Sequence, residues 1–148
     1  MRSTLRGCVV AMAVMLFTAF ASINTSAITP NPVLIFMGQE PITTGGTSFI
    51  RYNYSVFNFT DIPNDLFAAA PALPPCGTNP NVSRSWVDLF DQSGKKLNSF
   101  CNLGKSSSLN GIWFAKPEGE VPPSWIYIEI LDRQTSTKFK SNLAETTL

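Results

Sequence analysis

Apolar and polar residues alternate over long stretches of this chain, and this period of two is the feature that most restricts its fold. Successive side chains of a β-strand point to opposite faces, so alternation predicts strands with one buried face. The clearest pattern begins at residue 47, where one face is formed by Ile50, Tyr52, Tyr54 and Val56. Residues 124–132 repeat it with Ile126, Ile128 and Ile130. No helical period competes with these signals, and we expect an all-β domain.

Turn residues divide the first part of the chain into short strands. Residues 33–37 are predicted as a first strand that ends at Gly38, and residues 41–46 as the turn that follows. After Val56 the apolar positions shift by one residue and resume from Phe57. Because a shift by one moves side chains to the opposite face, we expect a β-bulge or a change of sheet at this point.

The second half of the chain shows the same construction. A turn at 91–94, with an aspartate first and a glycine last, joins predicted strands at 82–90 and 95–102. A polar loop is expected at 104–110 and a frayed tail at the C-terminus. The remaining strands are predicted at 111–115, 124–132 and about 137–141. About seven short strands separated by turns predict an all-β sandwich of two sheets, with an incomplete barrel as the alternative.

The first 27 residues have the order of a secretory signal peptide. Arginines come first, an apolar stretch over 8–17 follows, and small residues come last. Cleavage after Ala27 is favoured over cleavage after Ala21. The uninterrupted apolar run is about half of the roughly 20 residues that a membrane-spanning helix needs. We therefore expect residues 28–148 to form a secreted or periplasmic domain with no membrane association after cleavage.

The composition argues against several kinds of function. The chain has no histidine, which removes the commonest general base, the usual zinc ligand and the Ser-His and Cys-His nucleophile systems. Loss of Arg2 and Arg6 with the signal would remove two positive charges and change the formal net charge from +1 to −1. Such a charge attracts neither nucleic acid nor anionic lipid. We therefore predict a protein that is not an enzyme and that has no cofactor and no metal.

Several aspartates form pairs along the chain that could in principle act as acid and base. Asp91 begins a turn, Asp88 points outward from a strand, and Asp61 and Asp65 flank a short helical turn at 64–67, so each has a structural explanation. A small carboxylate enzyme remains an alternative. Calcium bound by Asp61, Asn64 and Asp65 is a second one, although no loop has the spacing of an EF-hand.

Two cysteines would remain after signal cleavage, Cys76 and Cys101. An even pair in an exported protein predicts a disulfide, which here would close a loop of about 25 residues worth roughly 3 kcal/mol. Two buried free thiols are the alternative. Cys76 lies in a proline-rich loop at 61–81, and the disulfide would fasten this loop to the sheet.

Two surfaces are candidates for binding. Trp125 and Tyr127 alternate away from the isoleucines of their strand, and Trp86 belongs to the strand expected beside them. If these three residues share an exposed face, that face is a candidate platform for a protein or a carbohydrate. Packing in the core or at a sheet edge is the simpler prediction for all three, and for Trp86 above all.

The second candidate is the proline-rich loop, centred on Leu73, Pro74 and Pro75. Proline and a disulfide lower the entropy that a loop loses on binding. A rigid loop of this kind also fits an inhibitor of extracellular hydrolases. Packing of the loop over one end of the sandwich is the alternative, and a structural subunit that pairs through the edge strand 33–37 is a further one.

Short motifs spread over about residues 47–142 resemble a group of small exported bacterial proteins of no assigned activity. The motifs are residues 65–67, 73–77, 83–88, 100–101, 111–114 and 130–133. The hairpins after Trp86 and Ile130 are also similar to those of immunoglobulin and fibronectin type III domains. Cys76 precedes the Trp86 strand and Cys101 follows it, so the bridge would differ from the inter-sheet disulfide of antibody domains. The resemblance implies an immunoglobulin-like β-sandwich and a bacterial source, and it implies no chemistry.

Overall fold

A computed structural model of the chain describes residues 29–75, 83–101 and 104–146. These residues form eight β-strands, which are β1 Leu34–Thr44, β2 Thr47–Val56, β3 Ser85–Asp91, β4 Lys96–Cys101, β5 Ile112–Pro117, β6 Trp125–Asp132, β7 Thr137–Lys140 and β8 Ala144–Glu145. Short 3₁₀ helices span Phe59–Asp61, Asn64–Phe67 and Ser106–Gly111. Within the described part of the chain, no helix is long and apolar enough to cross a membrane.

The strands pair into two antiparallel sheets. The first sheet has the order β1-β2-β5, and the second has the order β4-β3-β6-β7. β8 also pairs with β6, on the side where β7 pairs with it. β7 and β8 therefore share one position in the sheet, and the eight strands fill seven positions. The predicted all-β, immunoglobulin-like sandwich of about seven strands is therefore confirmed.

The core lies between the sheets and is built by the alternating residues that the sequence predicts. Tyr54 and Val56 of β2 are fully buried and face the second sheet, where Ile126, Ile128 and Ile130 of β6 are fully buried as well. Burying one such aliphatic side chain contributes about 1.5–3 kcal/mol. Burial of the remaining core residues fixes which face of each strand points to solvent.

A first strand forms where it is predicted, but its predicted end at Gly38 and the predicted turn at 41–46 are wrong. β1 continues past Gly38, where the register shifts in a β-bulge, and runs on to Thr44. The chain turns only at Gly45 and Gly46, whose φ angles of 59° and 78° suit the two-residue turn of a hairpin. Pro41 is accommodated because β1 is an edge strand, where a missing N–H is tolerated.

Three other predictions also need correction. β2 ends at Val56, and neither a bulge nor a change of sheet follows. The stretch predicted as a polar loop at 104–110 contains the 3₁₀ helix Ser106–Gly111, which places a fully buried Leu109 in the core. Residues 144–146 of the tail are not frayed, because β8 pairs with β6 and Thr146 is buried. A single buried side chain in a short segment, such as Leu109, produces no periodicity, so the sequence pattern does not predict its burial.

Asparagine side chains bridge the two sheets along both of their open sides. The side chain of Asn142 accepts a hydrogen bond from Leu34 N at 2.8 Å and donates one to Leu34 O at 3.1 Å. On the opposite side, Asn98 Nδ2 donates to Trp113 O at 2.8 Å. Asn142 thereby occupies backbone groups on the outer edge of β1 that could otherwise pair with another strand.

Candidate binding surface

The solvent side of the second sheet carries large aromatic side chains, and we call this side the outer face. Register pairs Trp86 with Leu131, Asp88 with Glu129, and Phe90 with Tyr127. These side chains are all half-buried and alternate with the fully buried positions of β3 and β6. The placement of Trp86 in the core, which the sequence favours, is therefore wrong. Ser85, Val87 and Leu89 take the inward positions of β3, and Trp86 points outward.

On the outer face, the rings of Phe90 and Tyr127 lie in a row between Lys96 and Lys140. We call these four residues the cation–ring row. Phe90 and Tyr127 stack with centroids 5.2 Å apart and planes at 20°. Lys140 Nζ lies 3.9 Å from the Tyr127 centroid, and Lys96 Nζ lies 5.8 Å from the Phe90 centroid. Phe90 and Lys140 belong to strands on opposite sides of β6. Phe90 and Lys140 therefore approach the Tyr127 ring from opposite sides.

Trp86 is held in place by a polar network beside this row. Its indole Nε1 donates a hydrogen bond to Ser99 Oγ, and Ser99 Oγ donates to Asp88 Oδ1 at 2.6 Å. Lys96 Nζ pairs with Asp88 Oδ2 at 2.7 Å and lies 5.6 Å from the Trp86 ring centroid. The outer face is thus ordered by its own contacts, which lowers the entropy it would lose on binding.

Trp125 lies on the same side of β6 but away from Trp86. It is six residues from Leu131, the cross-strand partner of Trp86, and six residues of strand span about 20 Å. Its side chain is exposed, and no aromatic or cationic side chain of the described residues stacks on it. The three predicted binding residues therefore share one side of the sheet, with Trp125 beside Tyr127 at one end of β6 and Trp86 next to the other end.

Arg133 connects the outer face to the predicted loop site. It donates from Nη1 to Ser83 O at 2.9 Å and from Nη2 to Pro74 O, and its guanidinium carbon lies 6.0 Å from the Trp86 ring centroid. Pro74 is exposed at this point. The two candidate surfaces are therefore continuous. The sequence did not identify Arg133, because a basic residue in a turn carries no distinctive pattern.

The other loop residues lie beside this connection. Leu73 is half-buried and Pro75 is exposed. Cys101 is paired with Trp86 in register, and directly paired residues of two strands share a face of the sheet. Cys76 lies outside the described residues, as does the rest of the loop to residue 82, so the disulfide stays a prediction. The signal peptide at 1–27 also lies outside the described residues.

Asp61 aside, the candidate acids and calcium ligands make side-chain contacts with other residues of the domain. Asp91 Oδ1 accepts hydrogen bonds from Ser93 Oγ, Ser93 N and Lys95 N, and the bond from the Ser93 side chain is the main cause that lowers the pKa of Asp91. Asn64 Oδ1 accepts from both the backbone and the hydroxyl of Ser106. Asp65 pairs with Arg84 at 3.0 Å. In the described ranges, no group of three or more potential metal ligands occurs.

Comparison with protein-family models, with curated proteins and with solved structures found no match for the chain. The structure alone therefore establishes the β-sandwich fold and the geometry of its outer face.

Proposed function

We propose that this protein is a secreted or periplasmic binding module without catalytic activity, and that its partner is a protein. The partner would contact the outer face of the second sheet and the adjoining loop residues around Pro74. The observation that carries this proposal is the cation–ring row. A solvated sheet face does not need stacked aromatic side chains to fold, whereas aromatic residues are enriched at the centres of protein interfaces.

The contacts of the Tyr127 ring favour a protein over a carbohydrate as the partner. A sugar stacks on a free ring face, and Phe90 and Lys140 approach this ring from opposite sides. Displacing a lysine from a ring costs about 0.5–1 kcal/mol of cation–π energy at an exposed site. Ring edges and lysine ammonium groups instead suit the carbonyl and carboxylate groups of a protein surface.

A carbohydrate-binding module is the second candidate, and Trp125 is the residue that favours it. This side chain is 41 % exposed and keeps its ring free for stacking. An inhibitor of extracellular hydrolases is a further candidate, supported by the contact that Arg133 makes with Pro74. Membership in a family of small exported bacterial proteins, cleavage of the signal peptide and the Cys76–Cys101 disulfide belong to the same proposal and rest on the sequence.

Quantitative affinity capture tests the proposal. The exported protein is immobilised, and extracellular or periplasmic proteins of the source cells that it retains are measured by mass spectrometry. The double substitution Tyr127→Ala with Lys140→Ala removes the centre of the cation–ring row and leaves the core intact. Phe57→Ala is the matched control, because Phe57 is an exposed aromatic residue next to the end of β2 in the first sheet.

The proposal predicts proteins that the wild type and Phe57→Ala retain equally and that the double variant loses. A retained set that does not change with the double variant would contradict it. Retention of cell-wall or matrix polysaccharide that depends on Trp125, with no protein lost from the double variant, would support the carbohydrate candidate instead.

A further inference from the structure

The strand β7 forms one edge of the second sheet, and its outer side pairs with no strand of the described residues. Its inner side pairs with β6, and just beyond the strand Ser141 N donates to Ile128 O at 3.0 Å. Hydrogen-bonded and non-hydrogen-bonded pairs alternate along an antiparallel ladder. In this register Phe139 directs its backbone groups to β6, whereas Lys138 and Lys140 direct theirs away from the sheet. The edge therefore offers the N–H and the C=O of both lysines to an added strand.

The other edges of the two sheets are less open to an added strand. β1 carries Pro41, which has no N–H to donate, and the N and O of its Leu34 bond to the side chain of Asn142. β4 and β5 face each other across the bond from Asn98 Nδ2 to Trp113 O. An unpaired strand edge is a template for pairing with another chain. Among the sheet edges of the described residues, that of β7 is the best suited to such pairing.

The charges beside this edge sum to an excess of positive charge. Lys138 Nζ pairs with Glu129 Oε2 at 3.1 Å. Lys140 lies against an aromatic ring, and no carboxylate of the described residues forms an ion pair with it. The next carboxylate on the outer face, that of Asp88, pairs with Lys96 at 2.7 Å. The uncompensated charge is therefore that of Lys140.

This charge argues against a second copy of the chain as the occupant of the edge. Antiparallel pairing of two β7 edges would bring Lys138 and Lys140 of one copy opposite the same lysines of the other. Like charges directly opposite each other destabilise a strand pair, and edge lysines are a common protection against self-pairing. A strand with a carboxylate opposite Lys140 gains from the same charge that repels a second copy.

We infer that the edge of β7 binds, in antiparallel pairing, an extended segment of the protein partner in which acidic and apolar residues alternate. The acidic side chains lie on the outer face, one of them opposite Lys140. The apolar side chains point to the other face, beside Phe139, which is half-buried and packs against the core. The inference rests on the proposed function, because the segment belongs to the protein that contacts the outer face.

Synthetic peptides added to the exported protein, with binding followed by ¹H–¹⁵N spectra and amide exchange, test the inference. The probe is a short peptide in which glutamate alternates with valine, and the comparison peptides have glutamine or lysine in place of glutamate. The glutamate peptide should slow exchange of the Lys138 and Lys140 amides, the glutamine peptide should do so more weakly, and the lysine peptide should have no effect. Added salt should weaken binding of the glutamate peptide. Equal protection by all three peptides, or no protection at millimolar concentrations, would overturn the inference.

Three substitutions separate the backbone of the edge from its charge. Lys138→Pro removes an N–H that faces away from β6, and Lys138→Gln removes the same charge but keeps this N–H. The proline variant should bind the glutamate peptide about tenfold more weakly than the glutamine variant, the scale for a hydrogen-bonding group left without its partner. Lys140→Gln should weaken binding about threefold, the scale of one exposed ion pair, and should remove the preference for glutamate over glutamine. Equal affinity of the two Lys138 variants, or an unchanged preference in Lys140→Gln, would overturn the inference.

Methylated peptides test the backbone contact without changing the protein. In antiparallel pairing, the residues opposite Lys138 and Lys140 are the glutamates, and their N–H groups face β7. N-methylation of the glutamates should abolish binding to the wild type, whereas N-methylation of the valines should leave most of it. Equal binding of the two methylated peptides would overturn the inference. Because the peptides are measured without the partner, this failure is distinct from a failed affinity capture, which would contradict the proposed function.

Discussion

Replacing Asp132 with asparagine is expected to destabilise the domain far more than the same change at Asp65, although both carboxylates pair with Arg84. Asp132 accepts four hydrogen bonds, two from Arg84, one from Gln134 N at 3.0 Å and one from Thr135 Oγ1 at 2.9 Å. Asparagine keeps one acceptor oxygen and would turn its NH₂ group toward a donor. The guanidinium would then lose its bidentate partner at the end of the second sheet.

The magnitude follows from the burial of each pair. Removing one partner of a buried ion pair costs about 3–5 kcal/mol. Arg84 keeps 25 % of its side chain exposed and retains Asp65, so we expect about 3 kcal/mol for Asp132→Asn. Exposed pairs are worth about 0–1 kcal/mol, so Asp65→Asn should cost no more than about 1 kcal/mol.

Urea unfolding at pH 7, followed by tryptophan fluorescence, measures both values. The m-value should stay constant, so that the change in midpoint reports stability alone. A loss of about 3 kcal/mol would also lower the melting temperature by roughly 10 °C in a domain of this size. Equal losses for the two variants, or a loss below about 1 kcal/mol for Asp132→Asn, would refute the reasoning.

The same pair predicts how stability depends on pH. The hydrogen bond from Arg84 is the main cause that lowers the pKa of Asp132, and the bonds from Gln134 and Thr135 act in the same direction. A lowered carboxyl pKa stabilises the folded state fully above the unfolded value of about 3.9. This contribution is lost as the pH falls through the lower folded pKa. The stability of the wild type should therefore fall below pH 4 more steeply than that of Asp132→Asn, and parallel curves would contradict this assignment.

Three further predictions concern the turn, the sheet edge and the export of the chain. Asp91→Ala should cost about 1 kcal/mol in urea unfolding, because three donors in the hairpin lose their acceptor, while Asp91→Asn should cost less; equal costs would argue against this role. Asn142→Ala should speed hydrogen exchange of the Leu34 amide, whose only acceptor in the described structure is Asn142, and unchanged exchange would show that the contact adds no protection. Intact mass of the exported protein should fit a chain that starts at Ile28 or Ser22 and is two hydrogens short before reduction, and a full-length chain with free thiols would contradict both export cleavage and the disulfide.

The elements that the sequence predicted correctly are those in which many residues repeat one pattern. The alternation of Tyr52, Tyr54 and Val56 and that of the β6 isoleucines each describe one buried face, and the structure buries all of them. The hairpin between β3 and β4 was predicted from the single turn at 91–94, because aspartate and glycine there satisfy specific backbone requirements. Gly94 has a φ of 86°, which favours glycine.

The features that were missed depend on contacts between distant residues. Pro41 and Gly38 resemble residues that end a strand, and only the position of β1 at a sheet edge makes them tolerable there. Leu109 has no apolar neighbour in its helix, so its burial is decided by the rest of the core. Arg133 became part of the candidate surface through Pro74, a partner 59 residues away in the chain.

Part of the candidate surface could be predicted from the sequence. Alternation placed Trp125 and Tyr127 on the outward side of their strand, and the structure places them there. The lysines beside the rings could not be predicted, because Lys96 and Lys140 reach the row only through the pairing of four strands. The separation of Trp125 from Trp86 likewise depends on the register between β3 and β6.

Site-specific photo-crosslinking tests the central claim most directly, namely that a protein partner binds the outer face. A photoreactive phenylalanine is placed at Tyr127 in one version of the exported protein and at Thr43, an exposed position of the first sheet, in another. The account predicts a defined crosslinked protein band from the source cells for the Tyr127 version only. Crosslinks from Thr43 alone, or none from Tyr127, would contradict it.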